Sequence, residues 1–308
     1  MAVPEILPAH LSPPNSRRRA SLRAERGGAV GFNAEASHRV IDMRECHILR
    51  PELFALVQPL RALLRRLKPS AAAGIRMTLC DQGVDLLLEK IEAEDLAAAE
   101  ALGAFALDHG LARLALDDGY GAQTRWEPEP VTVTLGGVPV PLPHGAFLQA
   151  TAEGESALVR AVRACVGDAR IVADLFAGLG TFALALEGRI LAVEGARDAA
   201  LALKAAAGRA QRPVFVDHRD LYRRPLDLAE LNRFEAVVLD PPRAGAKEQA
   251  ALLARASVPR IAYVSCNPST FARDSALLTE GGYRLEWVQP VGQFRWSTHV
   301  ELVGAFSR

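Results

Sequence analysis

One cysteine, Cys266, lies in a sequence context that favours nucleophilic chemistry. An apolar, β-prone run at 261–264 ends in Ser-Cys-Asn-Pro at 265–268, and a helix-like run follows at 269–278. The asparagine and proline of this motif suit the N-cap and the first helical position. We therefore predict that Cys266 lies at the carboxyl end of a strand, beside a helix N-terminus that lowers the pKa of its thiol. The alternative is a buried cysteine that acts as a small hydrophobic residue.

A glycine-containing turn follows an earlier predicted strand. It reads Asp-Leu-Phe-Ala-Gly-Leu-Gly-Thr at 174–181, and the next predicted strand ends at Glu194. Gly178 and Gly180 allow a tight turn and a close approach of backbone to ligand, and a strand-ending acid suits ribose hydroxyls. Because position 183 is Ala, the full Gly-x-Gly-x-x-Gly fingerprint is absent, which disfavours NAD without excluding it. The alternative is that the glycines only shorten a loop.

A further carboxylate follows the predicted strand at 236–239. The chain continues as Asp-Pro-Pro-Arg-Ala-Gly at 240–245, where the prolines stop the strand. Asp240 and Arg243 are thereby left at the same sheet edge as Cys266. A carboxylate there can hydrogen-bond the imide or amide edge of a flat base, although Asp-Pro-Pro alone is often only a strand terminator.

Two titratable residues lie close together near the carboxyl terminus. His299 and Glu301 are two positions apart, so as strand residues they share a face. Glu301 leads into an apolar run and is not easily explained as a surface residue. His299 alone suits a structural hydrogen-bonding role equally well.

The elements that must position these residues alternate from about residue 146 onward. Strand-like runs lie at 171–173, 190–193, 214–216, 236–239 and 261–264. Helix-like runs lie at 155–166, 181–186, 196–207, 247–254 and 269–278. This alternation predicts an α/β domain with a doubly wound, mostly parallel sheet. Runs at 284–288 and 300–306 have no helix between them and predict a terminal antiparallel hairpin.

The first 145 residues follow a different pattern and predict a smaller α+β domain with few, mainly antiparallel strands. Strand-like runs lie at 29–32, 39–43, 75–79, 84–88, 111–116, 131–135 and 138–142. Helix-like runs lie at 52–67 and 94–107. Residues 1–27 predict a flexible segment or an edge strand. We place the domains at 1–145 and 146–308.

Charge is distributed unevenly along a chain of 308 residues whose formal net charge is zero. Residues 1–80 carry 13 Lys and Arg against 6 Asp and Glu, including an arginine cluster at 17–19. The first domain is therefore a candidate for binding a polyanion such as RNA, although a solvated basic face fits nearly as well.

The cysteines exclude a disulfide framework and give no complete metal site. Cys46, Cys80, Cys165 and Cys266 are scattered without a C-x-x-C pair, which favours a reduced, cytosolic protein. No apolar run reaches 18 residues, and the start has no signal-peptide pattern. We therefore predict a cytoplasmic protein with no membrane partner.

Together these motifs resemble the RNA uracil-5-methyltransferase family, the class I enzymes that form 5-methyluridine in transfer and ribosomal RNA. The resemblance runs from about residue 12 to 308 and includes Phe-Leu-Gln at 147–149. It implies a Rossmann-like methyltransferase domain that uses S-adenosylmethionine. The cofactor-binding residues that it implies are Phe147, Gln149, Asp174, Phe176, Gly178, Gly180, Thr181, Glu194, Asp220 and Asp240.

The same resemblance implies Cys266 as nucleophile and Glu301 as general base, with Asp240, Arg243 and His299 at the substrate. The chemistry agrees with these roles. Uracil C5 is too electron-poor to attack a sulfonium methyl group, so a thiolate must first add to C6. A base must later remove the C5 proton before the thiol can leave. The uracil must be unpaired or flipped out of a helix.

Other positions depart from the family pattern. The family often has an amino-terminal β-barrel and a four-cysteine iron–sulfur cluster. Cys46 matches one cluster ligand, but the other three would precede residue 12, where there is no cysteine. We expect no iron–sulfur cluster in this chain and expect that its front portion is missing. Thr151 and Arg295 replace the usual Asn and Pro, which affects substrate placement rather than reaction class.

The predicted function is thus formation of 5-methyluridine in RNA, with 23S rRNA favoured over tRNA, through a covalent bond between Cys266 and uracil C6. A cytosine-C5 RNA methyltransferase is the nearest alternative, although those enzymes usually carry a second cysteine beside the motif at 240–243. A catalytically impaired RNA-binding fragment is the alternative from another class, and a nucleotide-dependent oxidoreductase is more distant. We predict a monomer and infer no obligate protein partner.

Overall fold

The computed structural model describes residues 3–25, 28–34, 37, 39–67, 72–91, 93 and 95–308. The chain divides into two compact units. The small unit is Pro14–Val133, and the large unit combines Met1–Pro13 with Thr134–Arg308. None of the helices in the described ranges is long and apolar enough to cross a membrane.

The strands and helices are numbered along the chain. The strands are β1 (Glu5–Ile6), β2 (His10–Leu11), β3 (Arg19–Ala24), β4 (Val30–Asn33), β5 (Val40–Asp42), β6 (Ala73–Cys80), β7 (Gly83–Glu89), β8 (Leu111–Asp117), β9 (Gln123–Trp126), β10 (Thr132–Leu135), β11 (Val138–Pro141), β12 (Ile171–Leu175), β13 (Arg189–Glu194), β14 (Val214–His218), β15 (Ala236–Leu239), β16 (Arg260–Ser265), β17 (Arg284–Gly292) and β18 (Glu301–Ser307). The helices are α1 (Pro51–Ala55), α2 (Val57–Leu67), α3 (Leu96–Asp108), α4 (Ala152–Val166), α5 (Arg197–Arg209), α6 (Leu228–Leu231), α7 (Lys247–Leu253) and α8 (Pro268–Glu280).

The small unit is built on a mixed sheet that, within the described residues, has seven strands in the order β5-β4-β3-β6-β7-β8-β9. Strands β3, β6 and β7 pair antiparallel, whereas β7 and β8 pair in parallel on either side of α3. Helices α1, α2 and α3 cover this sheet and share one apolar core with it. The predicted α+β fold of this region is thus observed, and the predicted start of the 94–107 helix lies outside the described residues.

The predicted helix at 52–67 is instead two helices, α1 and α2. Pro59 lies in the first turn of α2 and has no N–H to donate to the carbonyl of Ala55. At the break, the Leu56 N–H donates to the carbonyl of Leu53 at 3.3 Å. The apolar periodicity continues across the break, which explains why the sequence pattern did not reveal it.

The large unit is a Rossmann-like sheet covered by helices on both faces. The strand order is β1-β17-β18-β16-β15-β12-β13-β14, with β2 also paired to β17. Strands β14, β13, β12, β15 and β16 are parallel, and β18 is antiparallel to both β16 and β17. The predicted parallel sheet with a terminal antiparallel hairpin is confirmed. Of the two predictions for residues 1–27, a flexible segment or an edge strand, the second is confirmed for β1 and β2, which pair with the edge strand β17. It is wrong for β3, which lies inside the small sheet between β4 and β6.

Two local predictions differ from the structure. Residues 181–186 form turns and a bend rather than a helix. The N–H groups of Leu184 and Leu186 donate four residues back, as in a helix, but that of Ala185 donates only three residues back, to Phe182. The Ala183 N–H donates to Asp174, and the carbonyl of Ala185 accepts from the Arg163 guanidinium. The unit boundary follows Val133 rather than residue 145, because β11 packs against α5 of the large unit.

Candidate active site

The carboxyl ends of four parallel strands lie side by side in the large unit. Leu175 at the end of β12 is level with Val193 of β13 and Leu239 of β15, and Leu239 is level with Tyr263 of β16. The loops that follow these strands therefore share one edge of the sheet. Open parallel sheets bind their ligands at this edge.

The antiparallel strand β18 brings Glu301 to the same edge. The register between β16 and β18 ends with Ser265 opposite Leu302. Cys266 follows Ser265 and Glu301 precedes Leu302, so the antiparallel register makes Cys266 and Glu301 neighbours. This juxtaposition joins positions 35 residues apart in the chain.

The loop after β12 needs its glycines. Phe176, Gly178 and Gly180 have φ angles of 65°, 55° and 95°. A Cβ atom on Gly180 would lie 2.4 Å from Cδ1 of Leu203, whereas one on Gly178 would meet no described atom within 4 Å. A side chain at Gly180 would thus be strained by its φ angle and would displace Leu203, whereas Gly178 leaves open space beside the loop. The left-handed Phe176 costs of order 1 kcal/mol or more, since only glycine adopts this region freely.

The carboxyl group of Asp174 is fully buried beneath this loop. Its Oδ2 accepts the Ala183 N–H at 2.8 Å, while its Oδ1 has no hydrogen-bond partner among the described residues. Burial raises the pKa of Asp174 to about 7, and the charge of Glu194 acts in the same direction. The side chain therefore changes charge near neutral pH.

Glu194 is the last residue of β13, and Asp220 lies two residues after the end of β14, the next strand along the edge. The half-buried Glu194 accepts the N–H of Gly178 at 2.7 Å and the N–H of Ala196 at 2.6 Å. The exposed Asp220 accepts the Tyr222 N–H at 2.9 Å and lies 3.4 Å from the Arg223 guanidinium. Each carboxylate oxygen has more than one lone pair, so these backbone bonds leave acceptor capacity for ligand hydroxyls.

Three further predicted cofactor residues differ in burial. Phe147 is 58% exposed, whereas Gln149 is only 2% exposed. The Gln149 Oε1 accepts a hydrogen bond from Gln293 Nε2 at 2.9 Å. Thr181 is half-buried at the end of the glycine loop. The ring of Phe176 lies 5.5 Å from that of Tyr222, which closes one side of this loop.

The loop after β15 is bonded to the start of α8. The carbonyl of Arg243 accepts from the side chains of Asn267 at 3.1 Å and Thr270 at 3.3 Å. The Arg243 Nη2 lies 3.3 Å from His299 Nδ1. Asn267 also caps α8 by accepting the Ser269 N–H, as predicted. The segment that carries Cys266 and the loop that carries Arg243 are therefore held together.

A buried carboxylate that the sequence reasoning missed, Asp274, strengthens this connection. Its side chain is inaccessible to solvent, and its Oδ2 accepts from the Ala246 N–H at 2.8 Å and from the Tyr263 hydroxyl at 2.6 Å. Its Oδ1 accepts from Arg273, which also donates to the carbonyl of Ala244. The sequence signal that could have identified Asp274 is an aspartate on the apolar face of the predicted 269–278 helix.

The electrostatics around Cys266 differ from the prediction. Its pKa is raised, not lowered, because the thiol is partly buried and the carboxylates of Glu301 and Asp240 lie nearby. Arg243 opposes this effect without reversing it. The pKa of Asp240 is raised well above its usual range, first by burial and then by the charges of Glu301 and Asp174. The site is a cluster of mutually repelling acids.

His299 and Glu301 do not share a strand face, contrary to prediction. Strand β18 begins at Glu301, and His299 lies in the preceding exposed segment. The His299 N–H donates to the Ser297 hydroxyl at 3.1 Å, which bends the chain before the strand. His299 instead meets the site through Arg243.

The small unit holds the other predicted residues. Cys46 is a free, half-buried thiol whose Sγ accepts the Leu49 N–H at 3.4 Å. Within the described ranges, no group of three His, Cys, Asp or Glu side chains could hold a metal ion. In the arginine cluster at 17–19, Arg17 donates to the carbonyl of Arg19 and lies over the ring of Phe32. Burial lowers the pKa of Arg17, so this side chain is a structural member of the cluster.

Comparison with known proteins identifies the relatives of this chain. Residues 214–307 match the family described as "tRNA (Uracil-5-)-methyltransferase". An uncharacterized RNA methyltransferase of Zymomonas mobilis is 56% identical, and the alignment covers 100% of this chain and 79% of that protein. The "23S rRNA (uracil(1939)-C(5))-methyltransferase RlmD" of Chromohalobacter salexigens is 33% identical over 92% of this chain and 63% of its own length.

A solved structure shares the fold. The crystal structure of Pyrococcus abyssi tRNA (uracil-54, C5)-methyltransferase in complex with S-adenosyl-L-homocysteine superposes with a TM-score of 0.78 at 20% identity, covering 98% of this chain and 78% of that one. This likeness shows the class I methyltransferase fold. The sequence similarity to RNA methyltransferases extends over the whole chain, so the chain belongs to the RNA uracil-5-methyltransferase family.

Proposed function

We propose that this chain transfers a methyl group from S-adenosylmethionine to C5 of a uridine in RNA. Family membership supports the reaction class. The observation that carries the proposal is the register between β16 and β18, which makes Cys266 and Glu301 neighbours. A nucleophilic thiol beside a carboxylate base is the pair that uracil C5 chemistry needs.

The residues of the glycine loop fit S-adenosylmethionine. Asp174 Oδ1 is a buried acceptor without a partner among the described residues, and Gly178 leaves open space at the loop. Glu194, at the end of the next strand, suits the ribose hydroxyls. When bound, the cofactor supplies an electrophilic methyl group. Phe147, Gln149, Phe176, Gly180, Thr181 and Asp220 complete the proposed binding residues.

The chain's own residues carry the remaining steps. The Cys266 thiolate adds to uracil C6, and the electron pair of the C5–C6 double bond moves toward C5 and O4. After C5 has been methylated, Glu301 removes the C5 proton, the double bond returns and the Cys266–C6 bond breaks. The enzyme is thereby restored apart from the proton that Glu301 must release.

The raised pKa of Asp240 gives this residue a role at the substrate. Burial and the neighbouring charges of Glu301 and Asp174 favour its protonated form. A protonated carboxyl can donate a hydrogen bond to O4 of uracil, where negative charge develops after the thiolate attack. Arg243 and His299, 3.3 Å apart, are proposed to orient the ring from the same side.

We propose 23S rRNA as the substrate, because a relative at 33% identity is described as a 23S rRNA methyltransferase. The basic part of the chain, residues 1–80 with 13 Lys and Arg against 6 Asp and Glu, is proposed to contribute phosphate contacts. A cytosine-C5 activity is less well supported, because residues 240–245 contain no second cysteine. Mass mapping of modified nucleosides in RNA from a deletion strain would identify the base and the RNA.

Trapping experiments with two variants test the mechanism. Cys266→Ala removes the nucleophile, so no covalent complex should form with RNA. Glu301→Gln retains the nucleophile but removes the base, so a denaturation-resistant adduct with methylated RNA should accumulate. Both variants should lose turnover. An adduct with Cys266→Ala, or full turnover by either variant, would falsify the assignment of nucleophile and base.

A further inference from the structure

A basic cavity of about 540 Å³ lies in the small unit, between helix α2 and the hairpin of β4 and β5. Its lining includes Gly28, Asp42, Arg44, Gln58, Arg61 and Arg65. Three guanidinium groups thus share the cavity with one carboxylate, so positive charge is in excess. We propose that this cavity binds a phosphate group of the RNA backbone. The inference rests on the proposed function for its ligand, RNA, and adds the place where the small unit holds it.

Helix α2 supplies half of these lining residues. Gln58, Arg61 and Arg65 are separated by three and four positions, so they lie along one face of the helix. Leu60 and Leu64, on the other side of the same helix, are buried in the core of the small unit. The basic face is therefore carried by an element whose position the core fixes.

Arg61 and Asp42 form a fixed wall of the cavity. The Arg61 Nη2 donates to Asp42 Oδ1 at 2.6 Å and to the carbonyl of Met43 at 2.7 Å. Its Nη1 donates to Gln58 Oε1 at 2.6 Å, and its side chain is only 11% exposed. Asp42 Oδ1 also accepts the Val30 N–H at 3.3 Å. The charges of Arg61 and Asp42 offset each other, and these bonds hold both side chains in place.

Arg44 and Arg65 supply the excess positive charge and are open to a ligand. Arg65 is exposed and has no hydrogen-bond or ion-pair partner among the described residues. It lies against Gly28, where an added Cβ atom would be 3.4 Å from Arg65 Nε. The Arg44 side chain is 87% exposed, and its Nε is 3.5 Å from Asp42 Oδ2. Such an exposed ion pair is weak in water, so a ligand can compete for Arg44.

The charge, size and lining of the cavity suit a backbone phosphate. The planar fork of a guanidinium matches two phosphate oxygens, and two such forks face the same space here. The volume of about 540 Å³ leaves room for the sugar attached to the phosphate. None of the described residues that line the cavity is aromatic, so no ring offers a surface on which a base could stack. The contact should therefore be independent of sequence.

The test measures binding of the full chain to a labelled, unpaired RNA oligonucleotide at several salt concentrations, without cofactor. The double variant Arg44→Gln, Arg65→Gln keeps long polar side chains but removes both charges. Loss of one phosphate contact should make the slope of log Kd against log salt shallower by about 0.7. If the two lines meet near 1 M salt, the Kd at about 0.1 M should be about fivefold higher in the variant. The same RNA with cytidine in place of uridine should show the same loss.

Three single variants separate the cavity from a diffuse basic surface. Arg66→Gln removes the same charge at the next position of α2, outside the lining, and should weaken RNA binding less than Arg65→Gln. Arg160→Gln on α4 is the matched control, because it makes the same change at an exposed arginine outside the basic residues 1–80. Asp42→Asn keeps an oxygen for Arg61 and removes the negative charge of the lining, so RNA should bind more tightly. Melting temperatures of all variants report any loss of folding.

Several outcomes would overturn the site. Equal losses with Arg65→Gln and Arg66→Gln would indicate a diffuse basic surface. An unchanged salt slope in the double variant, weaker RNA binding by Asp42→Asn, or no RNA binding by the unsubstituted chain would also contradict it. Calorimetry with inorganic phosphate and with AMP tests the other source of phosphate. Binding of either compound that depends on Arg65, with an unchanged salt slope for RNA, would assign the cavity to a free phosphate compound instead.

The methylation assay separates this inference from the proposed function. If the variants behave as expected but no uridine in RNA is methylated by the unsubstituted chain, the proposed function fails and the phosphate site stands. If uridine is methylated but the double variant binds RNA with an unchanged salt slope, the site fails and the proposed function stands.

Discussion

The buried carboxyl of Asp174 should make the stability of the large unit depend on pH, and Asp174→Asn should remove this dependence. Burial raises the pKa of Asp174 from 3.8 to about 7. Between about pH 4 and pH 7 the folded chain keeps a proton that the unfolded chain releases, so the free energy of unfolding falls as pH rises. Above about pH 7 the carboxyl is ionised in both states, and this slope ends.

The size of the effect follows from the difference between the two pKa values. A shift from 3.8 to about 7 corresponds to about 4 kcal/mol across the whole window. Asparagine keeps an oxygen to accept the Ala183 N–H, which is 2.8 Å from the carboxylate in the native chain, and it does not ionise. The variant should therefore lose up to about 4 kcal/mol of the decline between acid and neutral pH.

The measurement is urea-induced unfolding at a series of pH values, without cofactor. Asp198→Asn on α5 is a suitable control, because it makes the same substitution at an exposed aspartate. Parallel profiles for Asp174→Asn and the unsubstituted chain would refute the reasoning. A steeper fall of the unfolding free energy with rising pH in Asp174→Asn would refute the predicted direction of the effect.

The remaining predictions concern the rest of the site and the cluster. Glu301→Gln removes a charge that raises the pKa of Cys266, so iodoacetamide should modify Cys266 faster near neutral pH. Mass spectrometry of the peptide that contains Cys266 measures the rate. An equal or slower rate would contradict the electrostatic explanation. Tyr263→Phe removes one hydrogen bond to Asp274 and should lower the free energy of unfolding, measured in urea, by about 1 kcal/mol. Asp274→Ala leaves buried donors without their carboxylate acceptor and should lower it by about 2–5 kcal/mol. Equal costs would mean that the network does not act through Asp274. Anaerobically purified chain should contain no stoichiometric iron and sulfide, because only Cys46 matches a cluster ligand; finding both would overturn this expectation.

The parallel sheet could be predicted because each strand and each helix has its own local pattern. Buried runs such as Ala236–Leu239 end in residues that cannot continue a strand, and the alternation with helices requires parallel pairing. The same reasoning located the strand-end residues Asp174, Glu194 and Asp240. It failed at 181–186, where the apolar spacing is helical but the Ala183 N–H donates to the Asp174 side chain instead of to a backbone carbonyl four residues back.

The direction of the pKa shift at Cys266 could not be read from its neighbours in sequence. The local motif has an N-cap asparagine and a helix start, which alone would lower the pKa of the thiol. The opposing carboxylate, Glu301, reaches the site only through the pairing of β18 with β16. The sequence pattern predicted both strands but not the register that brings the two side chains together.

The backbone hydrogen bonds between β16 and β18 keep Cys266 beside Glu301. A shift of β18 by one residue would turn Glu301 to the other face of the sheet and exchange the side chains that pack on the two buried faces of the strand. Val303 and Phe306 are 0% and 1% exposed, so burial of the strand strongly disfavours such a shift. The distance between the proposed nucleophile and the proposed base is therefore set by the core of the sheet. The loop of Asp240 and Arg243 has no such register and relies on Asn267, Thr270 and Asp274 instead. Substitutions in α8 should consequently disturb substrate orientation before they disturb the Cys266–Glu301 pair.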